Sequence, residues 1–222
     1  MLLLALDTAT PAVTVALHDG GSVIAEAGVI DARHPGELLA AVIQKALADA
    51  GAVPADLTGV VAGTGPGPYT GLRAGLVTAR VLGSTLGIAA HGLCTLDVIA
   101  ADAARATGGP FLVAADARRR EVYWASYRAA GQRDGEPRVS PPAELPGGLP
   151  VAGEGPCLYP DVLGEPLAPR FPSAATLAGL AAARLLAGAA LGPAEPLYLR
   201  LPDARVPGPP KPVSPQPAGG RQ

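Results

Sequence analysis

Three segments of this sequence carry residue types whose spacing could do chemistry. The first is Gly63–Arg73, GTGPGPYTGLR. Gly65 and Gly67 let the backbone turn tightly, while Pro66 and Pro68 stiffen it. A loop that feeds a helix N-terminus favours an anion, and Arg73 could assist. No Gly-Lys-Ser/Thr follows, so this is not a P-loop, and a rigid strand-to-helix connection is the plainer alternative. The second segment is the turn Asp7-Thr8-Ala9-Thr10. Its hydroxyls and N–H groups could face a phosphate, and Asp7 could hold a metal through water. An Asx-type turn would have the same composition. The candidate cofactor contacts are therefore Asp7, Thr8, Thr10, Gly65 and Gly67. The third segment is Ala117-Arg118-Arg119-Arg120. It could meet RNA phosphate, or it could be a solvated turn.

No catalytic set accompanies these segments. The sequence has no His-x-x-x-His pair for a metal and no Gly-x-Ser-x-Gly elbow. His34 reads as a helix-start or surface residue. Cys94 and Cys157 lie far apart, which argues against a disulfide framework and excludes a metal quartet built from cysteine. Two reduced structural thiols are expected.

The elements that must position these segments follow from periodicity. Leu2–Leu6 reads as a buried strand, Ala12–Leu17 alternates as a second, and Ser22–Val29 makes a third. Asp19-Gly20-Gly21 gives a hairpin turn between the last two. Residues 35–50 have helical spacing, with Glu37 in the first turn and Gly51 after the end. Leu57–Ala62 reads as a buried strand, and a helix covers about Gly71–Leu86. The order β-β-β-α-β-α gives an antiparallel trio with a crossover to a parallel strand. That is a ribonuclease-H-like lobe. Such lobes occur twice in the actin, sugar-kinase and Hsp70 (ASKHA) superfamily, with nucleotide between the copies.

A second copy is visible when Asp116 is placed under Asp7. LLALDTATPAVTVA (Leu3–Ala16) then lies over LVAADARRREVYWA (Leu112–Ala125). The second turn is neither glycine- nor hydroxyl-rich, so half of an ATP clamp is missing. The expected organisation is an α/β fold of two lobes, 1–108 and a reduced 109–205, then a proline-rich, disordered tail at 206–222.

The helix after the glycine-rich loop repeats a small residue every fourth position: Gly71, Gly75, Ala79, Gly83 and Gly87. Such a stripe permits close approach of another helix, either the one at 35–50 or one on another chain.

Composition narrows the classes further. The net charge of −2 gives no overall pull toward nucleic acid or anionic membrane. The start, MLLLALDT, lacks a basic segment and meets Asp7 after six residues, so it reads as a strand rather than a signal peptide. Ala174–Leu191 is apolar, but Arg184 at its centre favours a soluble helix. A cytoplasmic protein is expected.

ALDTAT, GTGPGPYTGLR, DARRREVYWASY and EPLYLR (Glu195–Arg200) occur here in the order in which they occur in the bacterial TsaB (YeaZ) family, which this sequence resembles across most of its length. Pro68-Tyr69, where a small residue and Phe are usual, and the proline-rich tail depart from the family. The resemblance implies a non-catalytic scaffold subunit of the machinery that places threonylcarbamoyl on the adenosine beside the tRNA anticodon. It implies TsaD, the transferase, and TsaE, an ATPase, as partners. It also implies a competing homodimer and contact with tRNA through the complex only. It implies no cofactor of this subunit's own, with ATP or ADP at the assembled complex. In that family the two first-lobe helices pack on TsaD. Here this points to Leu39, Val42, Ile43, Leu72, Gly75, Leu76 and Ala79 as interface residues. The competing expectation is an ATP-dependent small-molecule kinase or a metallopeptidase-like enzyme of the same superfamily.

Overall fold

The computed structural model describes residues 1–30 and 35–200. His34 and residues 201–222, which include the expected tail at 206–222, lie outside the described residues.

The chain begins with three strands, β1 (Leu3–Asp7), β2 (Ala12–His18) and β3 (Val23–Ile30), paired antiparallel in sequence. Asp19 Oδ1 accepts from the N–H groups of Gly21 and Ser22, both at 2.8 Å, which closes the second hairpin. Helix α1 (Pro35–Asp49) carries the chain across to β4 (Gly59–Gly63), which lies parallel to β1. Helix α2 (Tyr69–Leu86) returns it to β5 (Ala89–Leu93), parallel to β4. Gly87 ends α2 at φ 67°, where its N–H reaches the Gly83 carbonyl. Helix α3 (Thr95–Ala103) leads into the second half.

There β6 (Phe111–Asp116), β7 (Val122–Tyr127) and β8 (Arg133–Ser140) repeat the antiparallel trio. Strand β9 (Val151–Ala152) lies parallel to β6. The short helices α4 (Gly155–Leu158) and α5 (Pro160–Leu163) precede β10 (Pro166–Leu167), parallel to β9. The order β10-β9-β6-β7-β8 reproduces β5-β4-β1-β2-β3 strand for strand. The expected duplication is present, and the second copy is reduced: two-residue strands and four-residue helices stand where the first has full elements. Helix α6 (Ala174–Leu186) and β11 (Gly192–Pro193) are the last elements among the described residues, and β11 pairs antiparallel with β5.

Both faces of β1, β2 and β4 are buried. Leu4, Leu6, Val13, Val15, Val60 and Ala62 pack under α1 and α2. Leu3, Ala5, Ala16 and Val61 pack under α6, against Leu177, Ala178, Ala181 and Ala182. This period-two division explains the unbroken apolar runs of β1 and β4.

Two helices pack across the expected boundary at 108/109. A division at 108/109 puts helix α3 in the first lobe, but Leu96, Ile99, Ala100 and Ala103 pack on Phe111, Val113 and Tyr127 of the second sheet. The same division puts helix α6 in the second lobe, but it covers the first sheet. The two helices meet between the sheets, where the Thr176 hydroxyl donates to the Asp102 carboxylate at 2.7 Å. Apolar periodicity marks which face of a helix is buried and not which sheet receives it. Among the described residues, no helix is long and apolar enough to cross a membrane.

Candidate functional site

The two matched aspartates end equivalent strands, Asp7 on β1 and Asp116 on β6. The turn after each is the expected place for phosphate, and the structure shows what each turn holds.

Asp7 is completely buried. Its Oδ1 accepts from the Ala9 N–H at 2.8 Å, and its Oδ2 accepts from the Thr95 hydroxyl at 2.8 Å. Thr95 Oγ1 in turn accepts from the Gly65 N–H at 3.1 Å. Burial, only partly offset by those two hydrogen bonds, pushes the Asp7 carboxyl up to about 6. The Thr8 hydroxyl donates to the Gly71 carbonyl at 2.7 Å and accepts from the Gly75 N–H at 3.0 Å. Thr10 is buried, with its Oγ1 accepting from the Ala12 N–H at 3.3 Å. Gly67 lies flat on the turn: a Cβ there would stand 2.1 Å from the Ala9 carbonyl oxygen. Gly65, at φ 85°, bends the loop over Leu72.

All five candidate cofactor contacts therefore come together, with Asp7, Thr8, Thr10 and the Gly65 N–H bonded to Ala9, Thr95, Gly71, Gly75 and Ala12 of the same chain. The glycine-rich loop sits directly on the polar turn, and the Thr8 hydroxyl, the Asp7 carboxylate and the Gly65 N–H bond within the chain. The Asp7 turn is a buried hydrogen-bonded joint between β1, α2 and α3. Sequence reasoning missed Thr95, which stands 88 residues from Asp7 and belongs to no motif. Among the described residues, no group of three or more metal-ligating side chains converges.

The residues expected at an interface lie in or against the chain's own core. Leu39, Ile43, Leu72, Gly75, Leu76 and Ala79 are buried, and Val42 is half-buried against the same core. The small-residue stripe of α2 faces its own sheet. A Cβ on Gly75 would stand 2.5 Å from Thr8 Oγ1, and one on Gly83 would stand 3.0 Å from the Ile88 carbonyl. The close partner of the stripe is thus β1 and the β5 approach rather than another helix. The exposed ridge of α2 is Arg73, Val77, Arg80, Val81 and Ser84, with Val77 58% and Val81 57% exposed.

The glycine-rich loop has a second cover, from Leu197 and Tyr198. The Leu197 N–H donates to the Thr64 carbonyl at 2.8 Å. Tyr198 stacks on Tyr69 with ring centroids 4.7 Å apart. The Arg73 guanidinium lies over the Tyr69 ring at 4.7 Å and donates through Nε to the Tyr198 hydroxyl at 2.9 Å. Arg73 thus anchors this segment.

Two residues further on, Arg200 Nη1 donates to the Ala117 carbonyl at 2.8 Å, and the same guanidinium pairs with Glu121. That contact reaches the second turn. Arg118, Arg119 and Arg120 occupy successive left-handed conformations, with φ of 61°, 55° and 62°. Left-handed geometry costs about 1–2 kcal/mol for each residue with a Cβ. The turn is held by the Asp116 carboxylate accepting from the Arg118 N–H at 2.7 Å and by the Glu121 N–H donating to the Arg118 carbonyl at 3.0 Å. All three arginines are exposed.

Cys94 and Cys157 are free thiols. Burial pushes Cys94 up to about 12, so it is a neutral packing residue rather than a nucleophile.

Two ribonuclease-H-like lobes with matched strand order, the second reduced, define a two-lobed α/β protein of the actin and sugar-kinase type. A family model described as TsaD, tRNA N6-adenosine threonylcarbamoyltransferase, matches residues 27–152. An uncharacterized protein of Mycobacterium tuberculosis is 44% identical over 205 residues, covering 91% of this chain and 93% of its own length. The Escherichia coli tRNA threonylcarbamoyladenosine biosynthesis protein TsaB is 37% identical over 129 residues, 58% of this chain and 55% of that protein. The solved structure of YeaZ from Pseudomonas aeruginosa superposes with a TM-score of 0.77 at 28% identity, covering 89% of this chain and 99% of that one. The chain belongs to the TsaD family, in its TsaB (YeaZ) branch.

Proposed function

We propose that this protein is the non-catalytic scaffold subunit of tRNA threonylcarbamoyladenosine biosynthesis, binding the TsaD transferase and supporting transfer to the adenosine beside the anticodon. The carrying observation is the closed turn at Asp7: its carboxylate and the Thr8 hydroxyl bond to Ala9, Thr95, Gly71 and Gly75 of the same chain. A kinase or metallopeptidase reading needs such groups open to substrate. The name of the E. coli relative supplies the pathway.

The docking surface we assign is the outer ridge of α2, centred on exposed Val77 and Val81 and flanked by Arg73, Arg80 and Ser84. Exposed apolar side chains rimmed by polar ones suit a protein partner. A homodimer using the same ridge would compete with TsaD. ATP or ADP, TsaE and tRNA then join at the assembled complex, and the protein works in the cytoplasm.

Size-exclusion chromatography with TsaD, with and without ATP, tests the assembly. A stable complex is expected, together with negligible ATP hydrolysis by this chain alone. Robust turnover by the isolated chain would sink the scaffold reading. Val77→Glu with Val81→Glu should leave the fold intact, because exposed positions of this kind change stability by less than about 0.5 kcal/mol. The same pair should weaken TsaD binding about tenfold or more. Normal TsaD binding by the double variant would remove the ridge as the interface. Gly75→Leu cannot serve as this test, since its side chain would enter the space of Thr8 and Leu6 and report on folding.

A further inference from the structure

The first sheet ends in a strand whose outer edge no described residue covers. β3 is the last strand in the order β11-β5-β4-β1-β2-β3, and among the described residues its ladder bonds run to β2 alone. An open edge offers unpaired N–H and C=O groups to any chain that can pair with them, so edges are ordinarily short, charged or broken by proline. The other three sheet edges described here follow that rule. β10 and β11 are two residues long, and each contains a proline. β8 holds Pro137 among Arg133, Asp134, Glu136 and Arg138, and its register to β7 shifts between Trp124 and Ser126. β3 departs from the rule. Its eight residues, VIAEAGVI, hold no proline and a single charge, Glu26. Val23, Ile24, Val29 and Ile30 are 39%, 40%, 37% and 69% exposed. A long apolar edge left open in this way is a pairing surface.

The sequence of the strand selects its partner. Two copies that pair antiparallel about a two-fold axis set one residue opposite itself. With Ala27 on the axis, Ile24 faces Ile30 of the partner subunit, Ala25 faces Val29 of the partner subunit, and Glu26 faces Gly28 of the partner subunit. The whole run from Ile24 to Ile30 then pairs, isoleucine meets isoleucine, and the two carboxylates stay apart. An axis at Glu26 would set those carboxylates opposite each other, which is destabilising. An axis at Ala25 or Gly28 would set Glu26 against an isoleucine. Residues 201–222 offer no competing strand, since proline recurs from Pro202 to Pro217 and donates no ladder N–H.

We propose that β3 is a homotypic docking edge, through which two copies of this chain join their first sheets into one continuous sheet. Helix α2 packs over β4 and β5, toward the other end of that sheet, so the contact leaves the α2 ridge free. It is therefore separate from a homodimer on the ridge, which would compete with TsaD, and it does not depend on the TsaD reading. One strand edge makes a small interface, so the dimer is weak and concentration-dependent, with a Kd on the order of 10 μM.

Sedimentation velocity tests this on the isolated chain carrying Val77→Glu and Val81→Glu, in which the ridge is disabled. A monomer–dimer equilibrium is expected at concentrations up to about ten times that Kd. Adding Ile24→Lys and Ile30→Lys sets like charges opposite each other and should weaken dimerisation about tenfold or more. The thermal midpoint should hold, because both side chains are exposed. Cysteine trapping reads the register. In a Cys157→Ser background, with Cys94 buried and neutral, Ile24→Cys with Ile30→Cys should form a covalent dimer on mild oxidation. Facing Cα atoms stand about 4.5–5.5 Å apart in such a ladder, within reach of a disulfide. Ile24→Cys alone should trap poorly, since it faces an isoleucine. A ridge variant that stays monomeric, an unchanged equilibrium in the lysine variant, or equal trapping of the single and double cysteine variants would each overturn the proposal. Should the lysine variant lose its fold, the cysteine pair decides, and absence of a covalent dimer overturns it. Self-association of wild type that vanishes when TsaD binds, with the lysine pair also blocking TsaD, would assign the edge to TsaD and overturn it as well.

Discussion

Gly67→Ala is expected to destabilise the protein by about 3 kcal/mol or more, at the upper end of what overpacking does. The added Cβ would stand 2.1 Å from the Ala9 carbonyl oxygen and 2.9 Å from its carbon. Those are backbone atoms in a turn whose ends are fixed in β1 and β2, so they cannot swing aside as the tip of a long side chain can. The loop would have to lift, and lifting it strains the Gly65 N–H bond to Thr95 and the Thr95 bond to Asp7. Gly63→Ala should do similar damage by another route, since its Cβ would enter the Asp7 carboxylate and stand 2.8 Å from Thr95 Oγ1. For a chain of this length each kcal/mol lowers the thermal midpoint by about 2–4 °C, so a fall of about 6–12 °C is expected for either variant. Differential scanning calorimetry measures it. Gly179→Ala is the control: nothing lies within 4 Å of its Cβ, and alanine is the better helix former there. If Gly67→Ala melts with the control, the loop does not press on the turn.

The same contrast shows what is legible in the sequence. Alternation and apolar runs mark β1, β2, β3 and β4 to within about two residues, because strand periodicity is a local property. The duplication is visible because Asp7 and Asp116 end equivalent strands. The reach of Gly67 onto Ala9 is not, since glycine looks alike whether it admits a ligand or its own backbone. The stripe Gly71–Gly75–Ala79–Gly83 is a close-contact surface, as its spacing indicates, but spacing does not name the partner, and the partner is the chain's own sheet. For the same reason periodicity does not say that α3 packs on the second sheet and α6 on the first. Thr95 lies outside every motif, and only the fold brings it to Asp7.

Asp7 gives the second large effect, and it depends on pH. Its carboxyl titrates at about 6 in the folded protein, against 3.8 for an aspartate free in water. Burial is the main cause. The bonds from Ala9 and Thr95 favour the ionised form but do not offset it. The folded state thus holds a proton more tightly than the unfolded chain does. Below pH 3.8 both states are protonated and the group makes no difference. Between about 4 and 6 the unfolded chain releases its proton while the folded one retains it, so stability falls as pH rises. Above 6 both are ionised and the whole penalty stands, about 3 kcal/mol from a shift of 3.8 to about 6. Asp7→Asn removes that penalty. Its side-chain oxygen can still accept from the Ala9 N–H, and its amide can donate to Thr95 Oγ1. The Thr95 hydroxyl then loses its acceptor, which costs about 1 kcal/mol. At pH 7.5 the variant should be more stable than wild type by about 2 kcal/mol, the difference between these terms. At pH 4 it should be equal or slightly weaker. Urea denaturation at both pH values reads the difference directly. A wild-type curve whose Asp7 contribution rises with pH, or an Asn variant with the same pH dependence as wild type, would show that the carboxyl is not the buried group described. Retained TsaD binding by Asp7→Asn would place Asp7 in the joint between loop and sheet, whereas lost binding at full stability would return it to function.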